Sequence, residues 1–207
     1  MFAQALEGLL VPTFNPLSEA DLTSMLSGAR VLEQDSHGPK VYELQDGLML
    51  KLFRRKRFLS SALLRPHSLR FCRNAEKLQR LGVPTLEPIR LYRLDDSSWT
   101  AVLYQPLPGQ TLSELVRENP ARWSELKPAL GNFIRRLHQS GIYFRSLHLG
   151  NIVITPEQKL GLIDIADLQI RRRPLNRRLK HRNQAHFEKY LRKEKLQLDC
   201  TGLWSSN

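Results

Sequence analysis

Two charged residues interrupt apolar patterns in the first half of the sequence. Lys51 lies inside the apolar run Leu48–Phe53. Because side chains alternate between the two faces of a strand, Lys51 shares its face with the apolar side chains two positions before and after it. A buried ammonium is costly unless an anion meets it; the alternative is an edge-strand lysine whose ammonium reaches water. Glu76 shares a predicted helix flank with Leu69 and Cys72. A carboxylate there needs a cation, and Lys51 is a candidate.

A second pair of polar residues flanks a predicted hairpin in the second half. Asp164 interrupts the apolar strand Leu160–Ile165, and Asn151 directly precedes the strand Ile152–Thr155. Because antiparallel pairing brings the outer ends of two hairpin strands together, Asn151 and Asp164 are expected to be neighbours. Oxygen atoms from an Asn and an Asp, completed by phosphates and water, are ligands that Mg²⁺ prefers.

The elements that must position these residues follow from hydrophobic period and from capping and turn residues. Strands dominate the first part of the chain and helices the later part, which predicts an α+β fold with two lobes. A lobe boundary is expected near Pro106–Gly109, where prolines and a glycine interrupt the pattern. The predicted elements are a helix at Leu17–Gly28, a hairpin of Val41–Leu44 and Leu48–Phe53, a helix at Ser68–Leu81, a strand at Trp99–Tyr104, a capping box at Thr111–Glu114, a helix at Ser124–Ser140 and the hairpin already described.

The ordered set Lys51, Glu76, Asn151 and Asp164 resembles the protein-kinase arrangement of a strand lysine, a helix glutamate, a catalytic loop ending in Asn and a metal-binding Asp. The loop is similar to the H-x-D-L-H-x-G-N form of small-molecule and lipopolysaccharide kinases. It matches that form at Leu147, His148, Gly150 and Asn151.

The chain therefore resembles bacterial lipopolysaccharide-core (Kdo/heptose) kinases, with the branch often labelled toluene tolerance proteins nearest. The similarity covers roughly Val31 to Arg182. It implies a protein-kinase-like two-lobed fold. Residues 1–105 would form a small β-rich N-lobe with the Glu76 helix and an N-terminal helical extension, and residues 106–207 a reduced, mainly helical C-lobe.

The resemblance implies ATP and Mg²⁺ as cofactors. It also implies a phosphate-covering loop near Gln34–Lys40, which contains a single glycine, Gly38. The implied roles are phosphate binding for Lys51 with orientation by Glu76, Mg²⁺ binding for Asn151 and Asp164, and adenine pairing for the Gln105 carbonyl and the Leu107 amide.

The loop departs from the family pattern where the catalytic aspartate is expected. Ser146 occupies that position, and Phe144 replaces the histidine two residues before it. A serine hydroxyl by itself is not a general base near neutral pH, and losing such a base costs roughly 10²–10⁴-fold in rate. His148 or Asp167 could supply the missing function. An active kinase and a pseudokinase that binds nucleotide or an envelope-biogenesis partner are therefore equally open.

The positive charge of the chain is concentrated in one segment. The 207 residues include 32 Lys and Arg and 20 Asp and Glu, for a net charge of +12. The basic segment, Arg171–Lys195, carries +9 of it, and Arg54–Arg57 is a smaller cluster. Such a segment predicts an anionic glycolipid, a phosphorylated sugar or a membrane surface as partner; the alternative is a solvated helix face. With Phe187 and Tyr190 it also suggests nucleic-acid binding, ranked last because that leaves the four kinase-like residues unexplained.

Composition excludes several other classes. No apolar run reaches the roughly 20 residues of a membrane span. The two cysteines, Cys72 and Cys200, lack CxxC spacing, which argues against a disulfide scaffold and a zinc site. Without a recognisable signal sequence, a cytoplasmic location is expected, including peripheral contact with the inner membrane. The histidines outside the loop are interpreted as surface or satisfied core residues: His37, His67, His138, His181 and His186.

Overall fold

The computed structural model describes residues 13–54 and 66–204. Most of the Arg54–Arg57 cluster lies outside this range. The strands of the described residues are β1 (Phe14–Leu17), β2 (Arg30–Asp35), β3 (Gly38–Glu43), β4 (Met49–Arg54), β5 (Glu87–Leu94), β6 (Trp99–Gln105), β7 (Gln110–Thr111), β8 (Ile142–Tyr143), β9 (Ile152–Ile154), β10 (Leu160–Leu162) and β11 (Gln169–Ile170). The helices are α1 (Glu19–Met25), α2 (His67–Arg80), α3 (Leu112–Glu118), α4 (Arg122–Gln139) and α5 (Arg177–Lys193).

The chain divides into two compact units. The first comprises Met1–Arg73 and Pro88–Gln105, and the second comprises Asn74–Glu87 and Pro106–Asn207. Among the described residues, the first unit contains most of a six-stranded sheet. The second unit contains the helices α3, α4 and α5 together with short strands. The predicted α+β class is therefore confirmed.

The sheet of the first unit has the strand order β1-β5-β6-β4-β3-β2. The predicted hairpin is present as β3 and β4, with Val41 opposite Lys51 and Gly47 in its turn at a φ of 80°. Only a residue without a Cβ adopts that angle without strain. The segment expected to cover phosphates is the β2–β3 turn, where Asp35 pairs with Gly38.

The strands β1 and β5 were not predicted. They pair in parallel, with Phe14 opposite Leu91, and each contains a proline, which is atypical of strand interiors. Their pairing places Leu17 in the core of the first unit beside Leu50. The predicted N-terminal helix is confirmed as α1, whose N-cap Ser18 accepts a hydrogen bond from the Asp21 amide.

The predicted helices of the second unit are confirmed. Thr111 and Glu114 form the expected capping box at the start of α3. In α4 the predicted apolar stripe is buried, and Gly141 follows the helix at a φ of 73°. A Cβ on Gly141 would lie 2.5 Å from the carbonyl oxygen of Arg171, so this position requires glycine. The buried stripe comprises Leu126, Leu130, Phe133 and Leu137.

The second hairpin forms, but both of its strands are shorter than predicted: β9 ends at Ile154, one residue before Thr155. β10 ends at Leu162, not at Ile165. Asp164 has a φ of 51° and begins a single 3-10 turn over Ile165–Asp167. The expected strand is interrupted because Asp164 adopts the left-handed conformation, which the short polar side chains of Asp and Asn tolerate better than most.

The basic segment is mostly the amphipathic helix α5. One face is buried through Leu179, Asn183, Phe187 and Leu191. The ring of Phe187 packs edge-on to Trp204, with their centroids 5.5 Å apart. Within residues 13–54 and 66–204, no helix has the length and apolar character of a membrane span.

Candidate functional site

In the first unit, Lys51 lies on the central strand β4. Its side chain is 11% exposed, and its Nζ is 3.8 Å from an Oε atom of Glu33 on β2. The same ammonium lies 6.0 Å from the ring centroid of Phe71, within the range of a cation–π contact. The Lys51 side chain is thus largely buried, and of the two alternatives the edge-strand lysine is excluded because β4 lies between β6 and β3. Gln105 is the last residue of β6 and is exposed.

Glu76 and Leu107 belong to the second unit. Glu76 lies on α2, and its Oε1 accepts a hydrogen bond of 3.2 Å from Arg80 one turn later. The Leu107 side chain lies over Gly161 of β10: a Cβ on that glycine would be 2.5 Å from a methyl group of Leu107. Gly161 thus allows the segment after β6 to approach the hairpin closely.

Asn151 connects residues of the loop Phe144–Asn151 to one another. Its side chain is buried, and its Nδ2 donates a 3.0 Å hydrogen bond to the Ser146 carbonyl. The same Nδ2 lies 3.2 Å from His148 Nε2. Because the amide nitrogen is engaged by these two acceptors, the other side-chain atom, Oδ1, is the one left to act as an oxygen ligand.

The loop and the hairpin meet at Asn151. The Ile163 amide donates a 3.1 Å hydrogen bond to the Asn151 carbonyl, and Asp164 follows directly with its side chain exposed. The chain therefore brings Asn151 next to the residue preceding Asp164, as the hairpin argument predicted. An amide oxygen and a carboxylate fit a hard cation that keeps water and phosphate ligands. Across the part of the chain that the structure describes, no cluster of three or more His, Cys, Asp or Glu could hold a metal by itself.

The ring of His148 lies between Asn151 of the same loop and Tyr190 of α5. Its ring stacks on that of Tyr190 with centroids 4.0 Å apart and planes 3° apart, and the Tyr190 hydroxyl donates to Ser113 Oγ on α3. Burial lowers the pKa of the His148 imidazole to about 4, and the negative charge of Asp164 offsets part of that effect. His148 Nδ1 is buried without a hydrogen-bond partner.

Ser146 is joined to Asp167. The Ser146 Oγ donates a 2.7 Å hydrogen bond to Asp167 Oδ2. The Nε of Arg145 donates to the same oxygen at 3.2 Å. The other carboxylate oxygen, Oδ1, is buried without a hydrogen-bond partner. The residue at the expected catalytic position therefore has a carboxylate immediately beside it.

Asn74 fixes the turn that carries Asp167. Its buried side chain donates two hydrogen bonds, 2.7 Å to the Ile165 carbonyl and 2.9 Å to the Leu168 carbonyl. Sequence reasoning missed this residue. The available signal was a polar side chain two positions before Glu76 on α2, which periodicity alone does not connect with a distant turn.

The aromatic residues of the basic segment have internal contacts. Phe187 is fully buried, and Tyr190 stacks on His148. Their packing within the second unit accounts for both rings without a nucleic-acid base. His138 is a satisfied core residue, as predicted: its Nε2 lies 3.1 Å from Asn183 Oδ1, and burial lowers its pKa.

Comparison with known proteins identifies the family of the chain. The model of the lipopolysaccharide kinase (Kdo/WaaP) family matches residues 28–202. No curated protein matches the chain significantly. One similar solved structure is the kinase PK-1 of Cydia pomonella granulovirus, at 16% identity and a TM-score of 0.41. The alignment covers 76% of this chain and 58% of the viral kinase, so the chain spans less than two thirds of that protein.

The family match confirms the predicted resemblance and, with it, the protein-kinase-like fold class. The chain belongs to the lipopolysaccharide kinase (Kdo/WaaP) family.

Proposed function

We propose that the protein is an ATP-dependent phosphotransferase that phosphorylates a hydroxyl of a lipopolysaccharide core sugar. The family match over residues 28–202 implies a kinase-like phosphotransferase. The observation that best supports an active nucleotide site is the hydrogen bond from Ile163 to the Asn151 carbonyl, because it places Asn151 beside the segment that carries Asp164.

In this proposal Asn151 and Asp164 hold Mg²⁺ through the amide Oδ1 and the carboxylate. The cation would neutralise phosphate charge, which is a large part of phosphoryl-transfer catalysis. Asn151 suits this role because its Nδ2 is already bonded to the Ser146 carbonyl. The residues proposed to serve ATP binding are Lys51 for the phosphates, with Glu76 to orient it, and the Gln105 carbonyl and Leu107 amide for adenine.

The proposed acceptor is an anionic glycolipid or a phosphorylated sugar. The exposed side of α5 supports this, since four basic side chains line one open depression at the start of the helix: Arg177, Arg178, His181 and Arg182. Such a surface attracts phosphate groups and anionic membranes. Replacing Arg177 and Arg178 by Glu should abolish salt-sensitive sedimentation with vesicles containing anionic glycolipid. Undiminished sedimentation would contradict the assignment of this surface.

Nucleotide binding is tested by thermal unfolding with ATP and Mg²⁺. A ligand that binds the folded state raises the melting temperature. We expect a rise for the natural protein and its loss in Asp164→Ala. The matched control is Glu125→Ala, which removes a carboxylate that is 71% exposed on α4 and should keep the full response. An equal rise in Asp164→Ala would argue against Asp164 as the metal ligand.

Phosphotransfer is tested with core oligosaccharide as acceptor. We expect Mg²⁺-dependent turnover that is lost in Lys51→Ala, because the ammonium contributes to phosphate binding. Lys159→Ala, which removes an exposed lysine from the turn between β9 and β10, serves as the control and should leave turnover unchanged. Equal rates for the natural protein and Lys51→Ala would reject the proposal.

A second candidate function is that of a pseudokinase, and it is favoured by Ser146 at the expected position of the catalytic aspartate. A pseudokinase should bind ATP without turnover and gain phosphotransfer in Ser146→Asp. Strong turnover by the natural protein would exclude it.

A further inference from the structure

We propose that Ser146 and Asp167 form a proton relay that replaces the missing catalytic aspartate. This inference rests on the proposed phosphotransfer and names the groups that would accept the proton of the acceptor hydroxyl. Ser146 touches the acceptor, and Asp167 receives the proton behind it.

The hydrogen bond between the two residues has the direction that a relay requires. A serine hydroxyl has one proton and two lone pairs. Ser146 directs its proton to Asp167 Oδ2 at 2.7 Å, so its lone pairs remain able to accept a hydrogen bond from a sugar hydroxyl. Its side chain is half-buried, not enclosed, which is compatible with contact with an acceptor.

Both members of the pair are held in place. The Ser146 carbonyl accepts a 3.0 Å hydrogen bond from Asn151. Asp167 lies at the end of the 3-10 turn whose first carbonyl, that of Ile165, accepts from Asn74 at 2.7 Å. Catalytic groups are effective when neighbouring hydrogen bonds fix them in this way.

The carboxylate has unused hydrogen-bonding capacity. Asp167 Oδ2 accepts from Ser146 and from Arg145, whereas Oδ1 is buried without a partner. A buried polar atom without a partner is costly and is common at functional sites.

The sugar oxygen forms a bond to the γ-phosphorus of ATP, and the bond from that phosphorus to the β–γ bridging oxygen breaks, its electron pair leaving with ADP. The sugar proton passes to Ser146 Oγ while the original Ser146 proton passes to Asp167 Oδ2. Water then takes the proton from Asp167. Ser146 never holds a negative charge or a second proton, which is why a serine can stand at this position.

Kinetics of four variants test the relay: Ser146→Ala, Asp167→Asn, Ser146→Ala with Asp167→Asn, and Ser146→Asp with Asp167→Asn. Each single variant should lower kcat by roughly 10²–10⁴-fold. The first double variant should be no slower than either single one, because the residues act as a unit. Ser146→Asp should restore activity even when Asp167 is Asn, since the new carboxylate would accept the proton directly.

Two further measurements separate a relay from a structural contact. Two protons move together in the relay, so kcat should depend non-linearly on the fraction of heavy water in the solvent. In the double variant Ser146→Asp with Asp167→Asn a single proton moves, and the dependence should be linear. Asp199→Asn is the matched control, because it makes the same change at a carboxylate that is 68% exposed, and its kcat should equal that of the natural protein. Stabilisation by ATP and Mg²⁺ in every variant shows that the nucleotide site is intact.

The possible failures are distinguishable. If ATP with Mg²⁺ does not stabilise the natural protein, the proposed function fails. If ATP binds but no turnover occurs, the relay is wrong and the pseudokinase is favoured. If turnover occurs and Asp167→Asn keeps kcat within threefold, or Ser146→Asp fails to rescue it, only the relay is overturned.

Discussion

The imidazole of His148 lies flat against the phenol ring of Tyr190, with ring centroids 4.0 Å apart and planes 3° apart. His148 belongs to the loop that carries Ser146 and Asn151, and Tyr190 belongs to the basic helix α5. The Tyr190 hydroxyl donates a hydrogen bond to Ser113 Oγ on α3. The helix α5 therefore supports the loop that carries Ser146 and Asn151, in addition to presenting a charged surface.

The burial of His148 predicts its titration. Its pKa of about 4 lies below the ordinary value of 6.5, so the folded state keeps the ring neutral where the unfolded state binds a proton. The free energy of unfolding should therefore fall as pH decreases from about 6.5 to about 4 and should not fall further below that range on account of this group. After allowance for partial solvation, the loss should be about 1–3 kcal/mol.

Proton NMR can follow the His148 ring, with the signal assigned by its absence in His148→Gln. A midpoint near 4 is expected, and a midpoint near 6.5 would contradict the prediction. The same variant should lack this part of the pH dependence of stability, while retaining the contribution of His138.

Two substitutions at Tyr190 separate ring stacking from the hydroxyl hydrogen bond. Tyr190→Phe keeps the ring on His148 and loses only the bond to Ser113, at a cost of about 0.5–1.5 kcal/mol. Tyr190→Ala also removes the ring, and we expect a loss of about 2–4 kcal/mol. Urea denaturation gives both values. If the two variants were equally stable, the stacking would contribute nothing.

The absence of a side chain at Gly150 leaves room for the stacked rings of His148 and Tyr190. A second substitution, at Tyr190, should relieve the effect of replacing Gly150. A Cβ at Gly150 would lie 2.7 Å from the Tyr190 hydroxyl and 3.4 Å from His148 Nδ1. Gly150→Ala should therefore destabilise the protein by about 1–3 kcal/mol through overpacking. Tyr190→Phe removes the closest atom, so the double variant should be more stable than the sum of the two single effects predicts. Strict additivity in thermal and urea unfolding would disprove the clash.

Asn74 offers a test of the turn that holds Asp167. Asn74→Ala removes the side-chain donor from the Ile165 and Leu168 carbonyls and should cost about 1–3 kcal/mol. Asn74→Asp has nearly the same shape but turns an acceptor toward the Ile165 and Leu168 carbonyls, so it should be at least as destabilising at neutral pH. Asn132→Asp makes the same change at an exposed position on α4. That control should stay within about 0.5 kcal/mol of the natural protein by chemical denaturation.

The elements that the sequence predicted well depend on interactions between near neighbours. The turn residues Asp46 and Gly47 specify the β3–β4 hairpin, and Thr111 caps α3 with Glu114 three residues later. The stripe on α4 follows from helical period alone. The prediction of the strand ending at Ile165 failed because a local rule cannot anticipate the left-handed conformation of Asp164.

Residue type and order along the chain were enough to indicate the family. They also selected Lys51, Asn151 and Asp164 as candidates, because each of these residues is recognised from its own neighbours in the sequence. The contacts of Ser146 with Asp167, of His148 with Tyr190, and of Asn74 with a carbonyl 91 residues away were decided by the tertiary structure. Hydrophobic period shows which face of an element is buried, but it contains no information about which distant side chain that face meets. In the sequence, Ser146 indicates only that the expected catalytic aspartate is missing. The packing of the second unit is what places the Asp167 carboxylate next to the Ser146 hydroxyl.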